Sequence, residues 1–494
     1  MTELYEKRAS GPKLVIMEGS ELSVFPLDSR QEWLVGRIQG AGDTGSMVGL
    51  HSPIASKYHG LLRKSGGSWH YINNPENTNG TLYNGVRMVT PDGNPAKVRL
   101  FDGDILRIDR ADGDHANAVL MLFTTADVEN RWEKHSIRGK STVVIGRAPG
   151  CDIVQNLPYL SAKHAQITAR DGHYYLSDCG SKAGTYMFHR RITKDVRLRD
   201  KDCFSLADRL FFLVGDCIYC TAAHKAATLP HKDDRPVILR ANIKTKKVKD
   251  LSGSGMRELI RDIRLEVKQG TLVAMLGTAG AGKTTVMNCL NGMDLQGVQG
   301  SVIYRNVELM QNFDQMKSLI GSVPQQKTFH RTFTPEQEFR FAARKRLPGD
   351  MTKQEIEERV NKTLEILSIQ GVRKSQNCKL SGGEQTRVNV GIELVADRDL
   401  LCLDEPDQGL SPNYKHELFE ILQKLAHESG KTMLCIIHDV SEIDMFDQVI
   451  MLAKKDGVGR LAFSGSPAEA RKYFGVEIQH AYSLLDKHPE RYIR

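Results

Sequence analysis

The residues best equipped for chemistry in this chain lie between Gly277 and Thr285, where Gly277-Thr-Ala-Gly-Ala-Gly-Lys-Thr-Thr285 has the P-loop spacing G-x-x-x-x-G-K-[ST]. Such a loop suits a triphosphate. Gly277, Gly280 and Gly282 let the backbone turn tightly, so that several N–H groups face one anion at a helix N-terminus whose dipole also favours negative charge. Lys283 is placed to reach the β- and γ-phosphates and the Thr284 hydroxyl to bind Mg2+, with Thr285 beside them in the nucleotide-binding set. The context is right as well, because Thr271 to Leu276 reads as a strand leading into the loop.

Carboxylates follow at a second strand end. Asp399 to Leu403 reads as a buried strand closing on Asp404 and Glu405. Asp404 is suited to hold the Mg2+ shell, and Glu405 to polarise an attacking water as general base. His438 closes another apolar run, Thr432 to Ile437, where it can meet the γ-phosphate or that water. In isolation, a histidine so placed is more often a packing or capping residue.

Leu380-Ser-Gly-Gly-Glu-Gln385, followed by a helical stretch to Ala396, resembles the signature motif of the ABC ATPase family. Ser381 and the Gly382-Gly383 backbone make a further anion-binding helix N-terminus, redundant in a subunit that already has a P-loop. The resemblance implies that Ser381 and Gly383 act on a partner's ATP, so that two chains close on two nucleotides head to tail, as a homodimer or with a related ABC subunit. It covers about Val237 to Gly475. Gln325, after Pro324, looks like the Q-loop glutamine, which implies a catalytic, nucleotide-side and Mg2+-side residue linked to a transmembrane partner. Ile320-Gly-Ser-Val-Pro-Gln325, His330 and Thr334 to Arg344 are most similar to the G subfamily, and Ala470 to Phe474 looks like that group's lead-in to its membrane domain. Two departures stand out. Ser411 replaces the usual D-loop aspartate, which implies slow or differently gated hydrolysis. Lys244 to Asp250 is basic where many members stack adenine on an aromatic ring, and that run reads as a solvated sheet edge.

The N-terminal half carries a different phosphate chemistry. Gly36-Arg37, Ser56-x-x-His59 and Asn79-Gly-Thr81 with Asn84 stand in the order and spacing of forkhead-associated (FHA) domains. A phosphate dianion favours a guanidinium fork with hydroxyl and amide donors, since charge-assisted bonds are the stronger kind. The resemblance implies a phosphothreonine pocket in which Arg37 is the fork, Ser56, Lys57 and Thr78 complete the phosphate shell, and Asn79 binds the peptide backbone. Gly36 and His59 look architectural, and Asn77 stands where serine is usual. The set recurs as Gly146-Arg147, Ser161-x-x-His164 and Asp178-x-x-Ser181-x-Ala183-Gly-Thr185. Arg147 and Ser161 are again positioned for phosphate, but Ala183 replaces the clamping asparagine and Phe188 the later one, so peptide selection by this copy is expected to suffer.

These loops need scaffolds. Through the first half, short runs rich in Val, Ile, Leu and Tyr alternate with Gly, Asn and Asp turns about every ten residues. Lys13 to Met17, Tyr58 to Arg63, Trp69 to Ile72 and Ala118 to Phe123 recur as Thr142 to Ile145, Ala165 to Ala169, His173 to Leu176 and Phe211 to Val214. From Val237 strands alternate with helical patterns. The expected fold is multidomain: all-β FHA sandwiches over 12–128 and 136–222, a linker over 223–236, an α/β P-loop ABC ATPase domain over 237–476, and a short polar tail over 477–494. Within it Ser466, Pro467 and Glu469 form a capping box that predicts a helix from Pro467 toward Phe474.

Composition bounds the remaining choices. A chain of 494 residues, 40% apolar and 26% charged, is globular and long enough for about three domains. No apolar run approaches the roughly 20 residues needed to cross a bilayer, and the first residues show no apolar leader core. Nine scattered cysteines read as reduced thiols, and the lone pair Cys217 and Cys220 as packing. A net charge of +8 is modest for this length, and nucleic acid is not an expected partner. The expectation is a cytoplasmic ATPase at the inner face of the plasma membrane. It would drive a membrane permease on a separate chain and be regulated by a phosphothreonine protein through the first FHA module. The alternative is a phosphopeptide adaptor with a slow or non-transport ATPase.

Overall fold

The computed structural model describes residues 12–493 apart from 20, 28–29, 39–44, 66–67, 78, 84–85, 89–95, 101–103, 111–116, 125–131, 188–189, 222–234, 236, 250–254 and 306. Thr78, Asn84, Phe188 and nearly all of the expected linker therefore lie outside the described residues. Contacts divide the chain into two units, Met1–Asn156 with Lys163–Ala223, and Leu157–Ala162 with His224–Arg494.

In the first unit the duplicated strand pattern becomes duplicated architecture. Each module pairs a six-stranded with a five-stranded sheet among the described residues. The strands Gly60–Ser65, Ser68–Asn73 and Val119–Thr124 reappear as Ala165–Arg170, His173–Asp178 and Arg209–Val214 within their own module. The expected match of Lys13–Met17 with Thr142–Ile145 fails: Thr142–Gly146 takes the place of Glu32–Arg37 in the five-stranded sheet, whereas Lys13–Glu18 lies in the six-stranded one.

Val119–Thr124 breaks the usual in-out alternation, since all its residues are buried. Successive side chains on a strand point to opposite faces, so both faces of this sheet must be covered. Val119, Met121 and Phe123 fill the sandwich core with Trp33 and Tyr71. Leu120 and Leu122, with Val15 and Met17, instead pack against Cys203, Phe212 and Val214 of the second module. The two modules thus share an apolar interface of sheet on sheet. Beside it the buried Arg107 guanidinium lies 2.8 Å from Asp109 and 2.8 Å from Asp202, and donates to the Lys201 carbonyl at 2.9 Å. Removing one member of a buried ionic cluster strands the others, at a typical cost of about 3–5 kcal/mol. Arg107→Met is therefore expected to lower the stability of this unit by that order. The measurement is urea unfolding read by tryptophan fluorescence, because all 3 tryptophans, Trp33, Trp69 and Trp132, lie in this unit. An unchanged midpoint would show the cluster to be idle.

The second unit is built, among the described residues, on a ten-stranded sheet. Ile320–Val323, Leu400–Asp404, Thr432–Ile436, Leu272–Gly277 and Gln448–Lys455 run parallel in that spatial order. They read as nearly continuous apolar segments, as strands covered on both faces must. Val237–Lys249, Met256–Lys268 and Val298–Tyr304 add an antiparallel wing. Helices start where side chains can satisfy their free N–H groups. Capping boxes at Thr334, Thr352, Ser381 and Ser466 begin Pro335–Arg346, Lys353–Ile366, Gly382–Leu394 and the expected Pro467–Phe474.

Two expectations change here. The basic Lys244 to Lys249 run is no sheet edge: its strand is paired on both sides, and Lys246 is fully buried with Nζ 2.6 Å from Asp294. A compensating carboxylate lets one lysine of the run turn inward while Lys244 and Lys247 stay exposed. Nor is the C-terminal stretch a loose polar tail. It forms Ile478–Lys487 and Pro489–Tyr492, with Ile478, Ala481, Leu485 and Ile493 buried in the main core.

Candidate functional site

Parallel register brings the sequence motifs together. Asp404 pairs with Ile436 and Gly277 with Leu452, so the P-loop, the acidic pair and His438 all emerge from carboxyl ends of neighbouring strands. The P-loop has the backbone that its glycines foretold. Gly280 and Gly282 take φ of +71° and +85°, and a Cβ on Gly282 would come within 2.7 Å of Ile260. The helix Lys283–Leu290 starts directly after it. Lys283 Nζ donates to the Gly277 carbonyl at 3.0 Å and the Thr278 carbonyl at 3.5 Å. Burial lowers its pKa, while the carboxylates of Glu405 and Asp404 oppose that shift.

Thr284 Oγ1 lies 3.4 Å from Asp404 Oδ2. Hard oxygens converging beside a phosphate-binding loop are the donor set that Mg2+ takes. Burial raises the Asp404 pKa, and repulsion from Glu405 adds to it, which a nearby cation would reverse. Glu405 itself sits at φ +49°, a left-handed conformation costly for a residue with a Cβ and held by its N–H donating to the Ile436 carbonyl at 3.0 Å. Its two oxygens are then used separately. One is 2.7 Å from His438 Nε2, and the other accepts from Gln325 Nε2 at 2.9 Å. Gln325 Nε2 also donates to Gln408 at 3.2 Å.

Ser381 and Gly383 have other neighbours. The Ser381 hydroxyl is 2.8 Å from Glu384 within its own capping box, and a Cβ on Gly383 would meet the Tyr414 ring at 3.1 Å. Ser411 is the N-cap of Pro412–Ser429 without a capping bond from its side chain.

Sequence reasoning missed an ionic tie beneath these loops. Lys415, 8% exposed, is hydrogen-bonded to Asp439, directly after His438, and lies 4.0 Å from the buried Asp407, just beyond Glu405. Hydrogen bonding to Lys415 lowers the Asp439 pKa, whereas burial raises that of Asp407. Nothing in the local spacing of these three residues announces the contact.

In the first β-module, Arg37 Nη1 donates to the Pro53 carbonyl at 3.0 Å, while its buried Nε has no hydrogen-bond partner among the described residues. Ser56 carries the loop: its carbonyl accepts from Arg37 N–H at 2.9 Å, and its own N–H donates to His59 Nδ1 at 3.2 Å. Burial pushes the His59 pKa down to about 4, so the ring is neutral and acts as a linker whose Nε2 lies 3.3 Å from the Gly80 carbonyl. A Cβ on Gly36 would fall 2.1 Å from the Lys57 carbonyl. The Lys57 ammonium stands over the exposed Tyr58 ring at 5.5 Å, and Asn79 donates to the Ile54 carbonyl at 2.7 Å. Asn77 ties the His59 carbonyl to Asn73, at 2.8 and 2.9 Å. The second module keeps the linker, with His164 Nε2 3.1 Å from the Gly184 carbonyl, but Arg147, Ser161 and Ala183 are all buried.

A glycine-lined loop leading into a helix, an acidic strand end and a separately capped signature helix are the parts of an ABC-type cassette, and two β-sandwiches accompany them. Family models for the ABC transporter match residues 260–408, and for the FHA domain residues 33–109 and 143–207. The chain therefore carries one nucleotide-binding ABC ATPase domain and two FHA domains. Among its relatives is an ABC transporter ATP-binding/permease protein of Mycobacterium tuberculosis, 29% identical over 68% of this chain and 37% of that protein. ABC transporter G family members 28 and 22 of Arabidopsis thaliana are 35% and 32% identical over 44% and 48% of the chain, and 20% and 32% of their own lengths. The chain thus spans little more than a third of these relatives at most.

Proposed function

We propose that this chain is the motor of a membrane transporter, which binds and hydrolyses Mg-ATP as a head-to-tail dimer and is regulated by phosphothreonine through its first FHA domain. The observation that carries the reading is the direct bonding of Glu405 to both His438 and Gln325 at the strand ends that bear the P-loop. In this arrangement Glu405 accepts the proton of the attacking water, His438 and Gln325 hold its carboxylate in place, and Lys283 with the loop N–H groups binds the phosphates. Thr284 and Asp404, with Gln325, would hold Mg2+, which would neutralise phosphate charge.

Ser381 at the N-cap and Gly383 in the first turn of a second helix support the dimer: their helix N-terminus is an anion site that a second copy's nucleotide would complete. Support for a permease comes from the relatives' transporter names and from an aromatic patch beyond Gln325. There His330 stacks on Phe333 at 4.5 Å and meets the 40% exposed Phe341 at 5.1 Å. No helix among the described residues is long and apolar enough to cross a membrane; in this reading the permease is a separate chain. Its cytoplasmic face at the plasma membrane is the proposed location.

Ser411 favours a second reading, a phosphopeptide adaptor whose ATPase is slow. The test is turnover and assembly together: wild-type chain hydrolysing Mg-ATP, with Glu405→Gln trapped as an ATP-bound dimer in light scattering, supports the motor. A Glu405→Gln chain that stays monomeric and binds no ATP removes it, and wild-type turnover no faster than the variant's, even with the permease present, leaves the adaptor. Lys415→Met should lower kcat by about 10- to 100-fold with KM for ATP within about twofold, because misplacing catalytic loops costs rate more than binding. Steady-state kinetics decide it; a rise in KM alone would assign Lys415 to nucleotide binding.

A further inference from the structure

The Cys217-x-x-Cys220 pair cannot act as a chelating unit, because residues three apart on the strand Cys217–Thr221 face opposite sides of the sheet. The fold gives Cys220 other company. Its strand pairs antiparallel with Trp132–Ser136, with Glu133 directly opposite Cys220 and His135 opposite Ile218. Cys220, Ile218, Glu133 and His135 therefore share one face. The ligand atoms of Glu133, His135 and Cys220 all lie within 4.8 Å of one another, and His135 Nε2 is 3.4 Å from a Glu133 oxygen.

Their settings differ in a way that suits an ion. Cys220 is fully buried, whereas the His135 and Glu133 side chains are 30% and 44% exposed, so a cation could enter from the solvent side and keep one position for water. The fully buried Gln155 directs its amide Nε2 at the Cys220 sulfur, 3.6 Å away, a donor placed as one supports a metal-bound thiolate. A thiolate and a carboxylate together balance the charge of a divalent ion. With metal–sulfur bonds of about 2.3 Å and metal–nitrogen bonds of about 2.0 Å, tetrahedral ligand atoms stand roughly 3.5 Å apart, which small torsions of the three side chains can reach.

We propose that Glu133, His135 and Cys220 form a Zn2+ site on the second FHA domain, clasping its first strand to its last. One thiolate, one imidazole and one carboxylate are the borderline donors that Zn2+ takes, and they disfavour Mg2+ and Ca2+, which require oxygen. On binding, the Cys220 S–H bond breaks, a sulfur–zinc bond forms and the proton passes to water. The ion joins the two terminal strands of the module across their ladder, so it stabilises the folded state by binding that state alone.

The experiment uses the full chain, reduced, stripped with chelator and free of nucleotide. Zn2+ is titrated against a chromogenic chelator, and Cd2+ is added to a parallel sample to read the thiolate-to-metal absorption. Wild type is expected to take up one Zn2+ per chain and to show the Cd2+–thiolate band. Cys220→Ala should lose that band, and His135→Gln, a change at a part-exposed position, should weaken Zn2+ binding by about 100-fold or more, beyond the effect typical of outer-shell partners. Cys217→Ala should change neither. Equal Zn2+ uptake by wild type, Cys220→Ala and His135→Gln overturns the proposal, as does a wild type with no Cd2+–thiolate band.

Discussion

Glu405→Gln should reduce the rate of ATP hydrolysis by about 10²- to 10⁴-fold, the usual contribution of a positioned general base, while ATP affinity changes little. The amide keeps the size of the side chain and an oxygen that Gln325 Nε2 can still donate to, but it cannot take a proton from water. The other contact changes character: a carboxylate 2.7 Å from His438 Nε2 becomes a neutral group, so the histidine loses a charged acceptor but keeps a hydrogen-bond partner. Binding is carried mainly by Lys283 and the P-loop N–H groups, which the substitution does not touch. Single-turnover hydrolysis and equilibrium nucleotide binding separate the two effects. A variant hydrolysing within threefold of wild type would move the base elsewhere.

Arg37→Ala is expected to weaken binding of a phosphothreonine peptide by about 100-fold or more, since hydrogen bonds to a charged group contribute roughly 1.5–3 kcal/mol each and a factor of ten in affinity is about 1.4 kcal/mol. The Arg37 fork is suited to a ligand because its present engagement is slight: one bond to the Pro53 carbonyl and a buried Nε without a partner among the described residues. Stability should barely change, which distinguishes this variant from Arg107→Met in the same unit. Calorimetry with phosphorylated and unphosphorylated peptide is the measurement. Equal affinity of wild type and variant would end the assignment. Arg147→Ala should cost peptide binding much less, because Arg147 is buried and Ala183 stands where the clamping asparagine would be.

Much of the site could be read along the chain because its parts are contiguous. A phosphate loop needs consecutive residues with positive φ and a helix starting at once, so Gly280, Gly282 and Lys283 declare it locally. The capping box at Ser466 is likewise closed within four residues and located its helix correctly. The repeated Gly-Arg and Ser-x-x-His sets pointed to two sandwiches, and the apolar run through Val119–Thr124 already held the sign of a sheet covered on both faces, although not what covered it.

Neighbours across the sheet had no such local mark. That Gln325 and His438 meet the same carboxylate follows from the parallel order of three strands drawn from distant parts of the chain. The same holds for Lys415 with Asp439, Lys246 with Asp294, and Cys220 with Glu133 and His135. The amino-acid sequence by itself determined the phosphate chemistry, the two β-repeats and the helix starts, because turns, caps and backbone conformation are properties of adjacent residues. Only the tertiary structure decided which charges are buried, which cysteine has ligands beside it and how the sandwiches share an interface, because those depend on strand order and register, which bring together residues that are far apart along the chain.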